Sequence, residues 1–171
     1  MIKKAGFGGG CHWCTEAIFS SLKGVHAVKQ GWIASDAENT SFSEGVIVEF
    51  DTAVISFDVL IAVHLHTHSS TAQHSMRGKY RSAVYVFSDE DIPLAQAAIK
   101  SVQNDFDKPV ITKVLRYNDF KLNRDDSLNY YFNDPAKPFC ENYINPKLKT
   151  LLQRFSAVTD TVKLQHLNNA V

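Results

Sequence analysis

The alternation of apolar and polar residues in the first half of the chain predicts strands and helices in the order βαββαβ. Two stretches carry apolar residues at helical spacing; they centre on Ile18, Phe19 and Leu22, and on Leu60, Ile61 and His64. The strand-like segments are residues 2–7, 25–34, the region around Val46, Val48 and Phe50, and residues 82–87. The second and third strands are expected to pair antiparallel.

The second half of the chain predicts a helix from Ser88 through about Asp105, an extended segment over 110–117 and a last helix opened by Asn145-Pro146. Residues 118–137 are polar, aromatic and irregular, a length of loop that usually serves a site. This order indicates an α+β protein with a ferredoxin-like split βαβ core, a two-layer sandwich with an extended sheet and a long C-terminal coil plus helix.

The length of 171 residues suits one domain, which we place at residues 1–158. Residues 159–171 have little apolar content, so we expect a loosely held tail. Hydrophobic residues make up 44% and charged residues 21%, the balance of a globular protein. Because Lys plus Arg equals Asp plus Glu, 18 against 18, the chain has no field to gather nucleic acid or an anionic membrane.

The N-terminus lacks the long apolar stretch of a signal peptide, and no segment approaches a membrane span, so a cytoplasmic location is expected. In that compartment cysteines are more often reactive or metal-binding than paired in structural disulfides. The three cysteines, Cys11, Cys14 and Cys140, are therefore candidates for chemistry.

Cys11 follows a run of three glycines and stands where the first helix should begin. A helix N-terminus supplies partial positive charge and free N–H groups that stabilise a thiolate, and Trp13 offers a flat apolar wall nearby. The alternative is that Cys11 and Cys14 only pack the strand–helix junction, which for Cys14 alone is the preferred interpretation. A redox pair or half of a metal site is also open, although a second CxxC is absent.

The residues from Gly10 to Ala17, GCHWCTEA, resemble the GCFW-x-x-E signature of the A-type peptide-methionine sulfoxide reductases. Further motifs recur in the family's order: Lys23-Gly24-Val25, the strand from Glu44 to Asp51, KYRSAVY over 79–85 where the family has QYRSAIY, Pro138-Phe139-Cys140, and INPKL over 144–148. The resemblance covers roughly residues 5–155. Such an ordered set is far more specific than any one motif.

The resemblance implies that the Cys11 thiolate attacks the sulfoxide sulfur, releases methionine and becomes a sulfenic acid. Glu44 matches the family's proton donor to the sulfoxide oxygen, a role that requires a partly desolvated carboxyl group. Tyr80 matches the tyrosine that hydrogen-bonds the same oxygen, and Trp13 would hold the substrate methyl group. Selectivity for the S epimer also rests on the resemblance alone, and Glu16 is expected to be structural.

The chain departs from the family pattern at several positions near the predicted site. His12 replaces a phenylalanine, Cys14 a glycine and Phe42 a histidine, while Ser75 falls where the family has an aspartate. The family's GY-x-GG turn appears as GWIAS from Gly31, with a shortened loop that removes a second tyrosine. We assign His12 and Trp32 to substrate binding with Trp13, and expect substrate affinity or preference to differ from the family norm.

The family's reaction also requires a second thiol to resolve the sulfenic acid. Cys140 matches the family cysteine of the PYC motif and is the first choice. Cys14 is the alternative, since residues at i and i+3 are neighbours on a helix and the strained disulfide there would be labile. The resemblance implies a thioredoxin-like reductant, and we expect a monomer that uses no cofactor and no resident metal.

Two other functions stay open: a silent module that binds methionine sulfoxide without efficient turnover, and a general thiol oxidoreductase that uses Cys11 and Cys14. Metal binding by a histidine cluster near the second helix is a weaker hypothesis. The cluster comprises His64, His66, His68 and His74, and His64 and His68 have the i, i+4 spacing that places two side chains on one helix face. No acidic partner completes a recognisable ligand set there.

Overall fold

The computed structural model describes residues 1–168 and contains a mixed sheet of six strands in the order β5-β4-β1-β3-β2-β6. Neighbouring strands are antiparallel except for β4 and β5, which are parallel. The strands are β1 Ile2–Gly8, β2 Val25–Ala34, β3 Ser43–Asp51, β4 Ala83–Val86, β5 Lys113–Arg116 and β6 Asp119–Leu122. The predicted antiparallel pairing of the second and third strands is confirmed.

The four central strands, β4-β1-β3-β2, together with α1 (His12–Ser20) and α2 (Phe57–Thr67), form the split βαβ unit. The expected α+β fold is confirmed. The main core lies between the sheet and the helices and buries side chains from both layers, among them Phe7, Phe19, Phe50, Leu60 and Ile61. A smaller cluster around Ile33 and Tyr85 covers the opposite face of the sheet.

The third predicted helix is shorter than expected. α3 spans Asp91–Val102 and continues as a 3-10 turn over Gln103–Asp105. Ser88 lies before the helix, in a turn where its carbonyl oxygen accepts the amide N–H of Asp91. The helix therefore begins at the first residue after this turn, and the predicted start at Ser88 was wrong by three residues.

The segment over 118–137 is more regular than the sequence indicated. It contains β6 and the short helix α4, Tyr130–Asn133. The prediction of an irregular loop was wrong here because β6 shows no apolar alternation: only Phe120 is partly buried. Its structure comes from pairing with β2, in which Trp32 faces Lys121 across the ladder.

The chain ends in a group of helical segments behind α1. A π-helical turn, Cys140–Ile144, leads into α5, Asn145–Arg154, and α6 covers Gln165–Asn168. Helix α5 packs against both α1 and α2. None of the helices within residues 1–168 is long and apolar enough to cross a membrane.

The segment after Val158 contacts the body more closely than its low apolar content indicated. Leu164 and Leu167 are buried, and Thr159 forms a bridge with Leu22. Spaced leucines thus anchor a segment that is otherwise polar. Residues 169–171 lie outside the described residues, and the extent of the domain remains a prediction.

Candidate active site

A glycine turn places Cys11 at the start of α1. Gly9 has φ +152°, a backbone conformation that L side chains rarely adopt, and a Cβ there would lie 2.5 Å from the ring of His68. Cys11 then occupies the N-cap position of α1 with φ −59° and ψ 130°. The sulfur therefore stands at the positive end of the helix, as the sequence predicted.

The surroundings of Cys11 lower the pKa of its thiol. The largest contribution is a hydrogen bond from the Cys14 thiol, and the backbone N–H groups of Trp13 and Cys14 act in the same direction. Burial and the negative charge of Glu44 oppose them. The same hydrogen bond is the main reason why the pKa of Cys14 is raised. Cys11 is thus favoured as the thiolate and Cys14 as its protonated partner.

Cys11 opens into a cavity of about 520 Å³. Six of the residues predicted for the site line this cavity: Cys11, His12, Trp13, Trp32, Glu44 and Tyr80. The other two cysteines do not line it. Cys14 is buried behind Cys11, and Cys140 is fully buried in the π-helical turn, where burial is the main cause of its raised pKa.

The carboxyl group of Glu44 lies at the floor of the cavity and is almost fully buried. Its Oε1 atom is 3.3 Å from the backbone nitrogen of His12, which donates to it, and 3.3 Å from Nε2 of the same residue. Its Oε2 atom is 3.5 Å from Nζ of Lys79. Glu44 thus has a partner on each oxygen while it faces the space beside Cys11.

Aromatic side chains form the apolar wall of the cavity. Trp13 stacks on Tyr130 with ring centroids 3.9 Å apart, and Phe139 meets Trp13 edge-on at 5.5 Å. Trp32 packs edge-on against His12 at 5.2 Å. These contacts fix a flat, apolar surface next to the sulfur of Cys11, which suits an uncharged methyl or methylene group.

Tyr80 and Lys79 form the polar rim. The Lys79 ammonium lies 5.1 Å from the centre of the Tyr80 ring. The pKa of Lys79 is raised, mainly by a hydrogen bond with the Tyr80 hydroxyl and then by the charge of Glu44. The rim therefore carries a fixed positive charge and a phenol next to the buried carboxyl group.

The sequence did not identify the other residues of the cavity: Lys79, Asn123, Arg124, Ser127 and Phe139. Lys79 and Phe139 stand inside recognised motifs, which could have drawn attention to them. The remaining three follow β6, within the 118–137 segment that was expected to serve a site, although no single residue of that segment was identified.

Glu16 connects α1 to this missed segment. Its buried carboxylate accepts hydrogen bonds from the backbone N–H groups of Asn129 (3.0 Å) and Tyr130 (3.2 Å) and from the side chain of Gln30 (3.1 Å). Glu16 therefore anchors the backbone of Asn129 and Tyr130 to α1, which agrees with the structural role expected for it.

The histidines near α2 are bound to protein atoms. His64 Nε2 lies 2.8 Å from the carbonyl oxygen of Gly8, and His68 Nε2 lies 2.8 Å from Oγ of Ser82. Burial lowers the pKa of His64 to about 4 and that of His68 well below its usual value. Both rings are neutral packing residues near neutral pH. In the part of the chain that the structure describes, no three His, Cys, Asp or Glu side chains are grouped to hold a metal ion.

The model of the peptide methionine sulfoxide reductase family matches residues 3–159. The chain belongs to this family. The membership confirms the resemblance seen in the sequence and the expected enzyme class, an oxidoreductase acting on methionine sulfoxide.

Relatives within the family match over nearly the whole chain. The MsrA of Ralstonia nicotianae is 34% identical over 175 residues, which cover 91% of this chain and 92% of that protein. The MsrA of Pasteurella multocida is 31% identical over 173 residues, which cover 92% of this chain and 99% of that protein. Among solved structures, reduced Mxr1 from Saccharomyces cerevisiae gives a TM-score of 0.72 at 19% identity, covering 81% of this chain and 89% of Mxr1. The methionine sulfoxide reductase A of Corynebacterium diphtheriae gives a TM-score of 0.68 at 20% sequence identity, covering 78% of this chain and 76% of that one.

Two departures from the family motifs meet at one group in the structure. His12, where the family signature has phenylalanine, and Lys79, where the motif has glutamine, contact opposite oxygens of Glu44. The departure at Phe42 is different in kind, because its ring lies beneath the Lys121 ammonium at 4.4 Å and does not line the cavity.

Proposed function

We propose that this chain reduces methionine S-sulfoxide, free or within proteins, in the cavity beside Cys11, and so repairs oxidised proteins. The observation that carries the proposal is the position of Cys11: a thiol with a lowered pKa shares one cavity with a buried carboxyl group, a phenol and an aromatic wall. A sulfoxide offers a sulfur for the thiolate, an oxygen for the acid and a methyl group for the wall. The family membership supports the same reaction.

In the proposed first step, the Cys11 thiolate attacks the sulfoxide sulfur while Glu44 gives a proton to the oxygen. The sulfur–oxygen bond and the transient bond between the two sulfurs both break, and the oxygen, now carrying the proton, bonds to the Cys11 sulfur to give a sulfenic acid. Thiolate, sulfoxide and one proton thus become sulfenic acid and thioether. The methionine sulfur gains two electrons and the cysteine sulfur loses two. Tyr80 would hydrogen-bond the oxygen as charge develops on it.

For the second step we propose that Cys14 condenses with the sulfenic acid, forming a disulfide and releasing water. The position of Cys14 one helical turn from Cys11 supports this order, because its thiol is the largest influence that lowers the pKa of the Cys11 thiol. Cys140, the first choice from the sequence, is fully buried in the π-helical turn. Cys140 remains the alternative resolving thiol, either in place of Cys14 or as a further thiol that reacts after Cys14.

A dithiol reductant must then reopen the disulfide. Mxr1 of Saccharomyces cerevisiae, whose fold resembles this chain with a TM-score of 0.60 in that structure, has been solved in complex with Trx2. We propose a thioredoxin-like donor here as well. The monomeric state and the cytoplasmic location stay predictions from the sequence.

The test is single-turnover reduction of a methionine S-sulfoxide peptide by the pre-reduced protein, compared with Cys11→Ser. We expect one equivalent of methionine from the unchanged chain and none from Cys11→Ser, because the thiolate is the reductant. Peptide mapping of Cys14→Ser and Cys140→Ser then identifies the resolving thiol by the disulfide that is lost.

Two results would contradict the proposal. Peptide binding without methionine would indicate the silent binding module. Reduction of a small disulfide without any reduction of the sulfoxide would indicate the general thiol oxidoreductase.

A further inference from the structure

The guanidinium group of Arg77 joins the glycine turn before Cys11 to the backbone of Tyr80. Arg77 is half-buried in a 3-10 turn, Ser75–Gly78. Its Nη1 atom donates to the carbonyl oxygen of Gly9 at 2.9 Å and to that of Tyr80 at 3.0 Å. Because both bonds start from one nitrogen of a planar group, the two carbonyl oxygens are held in a fixed relation to each other.

The remaining N–H groups of Arg77 bind the loop that leads to this turn. Nη2 donates to the carbonyl oxygens of Ser69 at 2.6 Å and Ala72 at 2.8 Å, and Nε donates to that of Ala72 at 3.0 Å. A guanidinium group has five N–H groups, and Arg77 makes five such hydrogen bonds. All of them end on backbone oxygens, so the side chain of Arg77 orders the backbone around it.

Little apolar packing holds the segment that ends at Tyr80. Residues 73–79 are exposed except for Arg77, and Tyr80 itself is only half-buried. On one side of this segment, the carbonyl oxygen of Lys79 accepts the backbone N–H of Glu44 at 2.9 Å. On the other side, Arg77 binds the glycine turn. The position of Tyr80 therefore depends on polar anchors, of which Arg77 is the one that reaches towards the nucleophile.

The glycine turn has firmer support than the loop. Gly8 ends β1, a strand inside the sheet, and its carbonyl oxygen lies 2.8 Å from Nε2 of the buried His64. Cys11 leads directly into α1, whose side chains belong to the main core. If the hydrogen bonds of Arg77 were lost, the exposed loop would move while the turn kept its place.

We propose that Arg77 is a positioning residue that holds Tyr80 at the distance from Cys11 that the reaction requires. One bond joins the sulfur and the oxygen of a sulfoxide, so the thiolate and the phenol must reach adjacent atoms at the same time. A displacement of a catalytic group by about 1 Å can slow a reaction about a hundredfold. This role rests on the proposed functions of Cys11 and Tyr80, whereas the anchoring of the loop is a property of the free chain.

The anchoring is tested without substrate, by hydrogen exchange of the reduced chain and of Arg77→Lys. Lysine keeps the positive charge, but its single nitrogen cannot bind four carbonyl oxygens in the geometry of the fork. We expect the backbone N–H groups of residues 77–81 to exchange at least about threefold faster in the variant, while those of α1 keep their rate. An unchanged rate over residues 77–81, or an equal increase in α1, would overturn the proposal.

The consequence for the reaction is tested by combining Arg77→Lys with Tyr80→Phe and measuring the rate of methionine formation in a single turnover with saturating peptide. We expect Arg77→Lys alone to lower the rate about tenfold, and by less than about twofold when the Tyr80 hydroxyl is already absent. Arg116→Lys is the matched control and should keep the rate, since Arg116 pairs with Asp89 and does not line the cavity. Circular dichroism checks that every variant retains the fold.

The two proposals fail in different ways. No loss of rate in Arg77→Lys, or an equal loss with and without the Tyr80 hydroxyl, would show that Arg77 does not act through Tyr80, while methionine formation would still support the reductase. A Tyr80→Phe chain as fast as the unchanged chain would count against the positioning role in the same way. No methionine from the unchanged chain would contradict the reductase, and hydrogen exchange would still decide whether Arg77 anchors the loop.

Discussion

The reactivity of Cys11 depends more on its neighbours than on the cysteine itself. Burial alone would raise its pKa, as it does for Cys140. The direction is reversed at Cys11 because a thiol and two backbone N–H groups converge on the sulfur. Cys14, which the sequence alone would assign to packing, thereby becomes the strongest single influence on the nucleophile.

Replacing Cys14 by alanine should therefore raise the pKa of Cys11. A lowered pKa keeps the thiolate present at lower pH, so losing the S–H donor moves the rise of alkylation rate to higher pH, by about one unit. Iodoacetamide alkylation of Cys11 between pH 5 and 9, followed by peptide mass, measures the shift. Cys14→Ser keeps a hydroxyl donor, so its alkylation curve should lie between those of the unchanged chain and Cys14→Ala. Coincident curves for all three chains would contradict this account.

Six of the eleven residues that line the cavity were predicted from the sequence, and five were not. The order of the motifs predicted that Cys11, Glu44 and Tyr80 belong to one site, and the fold places them in one cavity. Their chemical roles stay predictions. Asn123 and Lys79 were missed because their contacts, to Gln30 and Glu44, are with residues distant in sequence, and no local pattern encodes that.

At the scale of elements, α1 acts at two positions, its N-terminus and its middle. Its N-terminus stabilises the thiolate, and Glu16 one turn later holds the segment that follows β6. The bounds of β2 were predicted to the residue because its pattern is local. β6 was missed because it depends on Gly31 of β2, where a Cβ would lie 2.0 Å from the carbonyl oxygen of Lys121. The two strands approach so closely at this point that only glycine fits. This requirement can be recognised only when the positions of both strands are known.

Glu16→Gln should destabilise the fold. An amide replaces one accepting oxygen with an NH₂ group that faces N–H donors, and breaking a buried charged hydrogen bond costs roughly 1.5–3 kcal/mol. Urea unfolding measures the change in the free energy of unfolding. Glu49→Gln is the matched control, since Glu49 pairs with the half-exposed Lys4 and should change the free energy by less than about 1 kcal/mol. Equal effects would mean that Glu16 anchors nothing.

At the scale of the whole molecule, the central sheet was predictable and its periphery was not. Alternating strands and helices with short connections permit few topologies, and the split βαβ order β4-β1-β3-β2 is one of them. The outer strand β6 and the C-terminal helices are specified by contacts with residues distant in sequence. Thr159 pairs with Leu22, and the Lys163 ammonium donates to the carbonyl oxygen of Ser20. These contacts lie beyond the segment that hydrophobic patterning marks.

The last segment offers the sharpest test of how far the folded unit extends. Leu164 is fully buried in the main core, so Leu164→Ala should lower the free energy of unfolding by about 2–5 kcal/mol, the usual cost of the lost contacts and the cavity. Val162 lies two residues away with 77% of its surface exposed, so Val162→Ala should change it by less than about 0.5 kcal/mol. Urea unfolding of both variants measures the difference. If Leu164→Ala is as mild as Val162→Ala, residues 159–167 are held as loosely as the sequence indicated; if it is costly, the folded unit extends past residue 158.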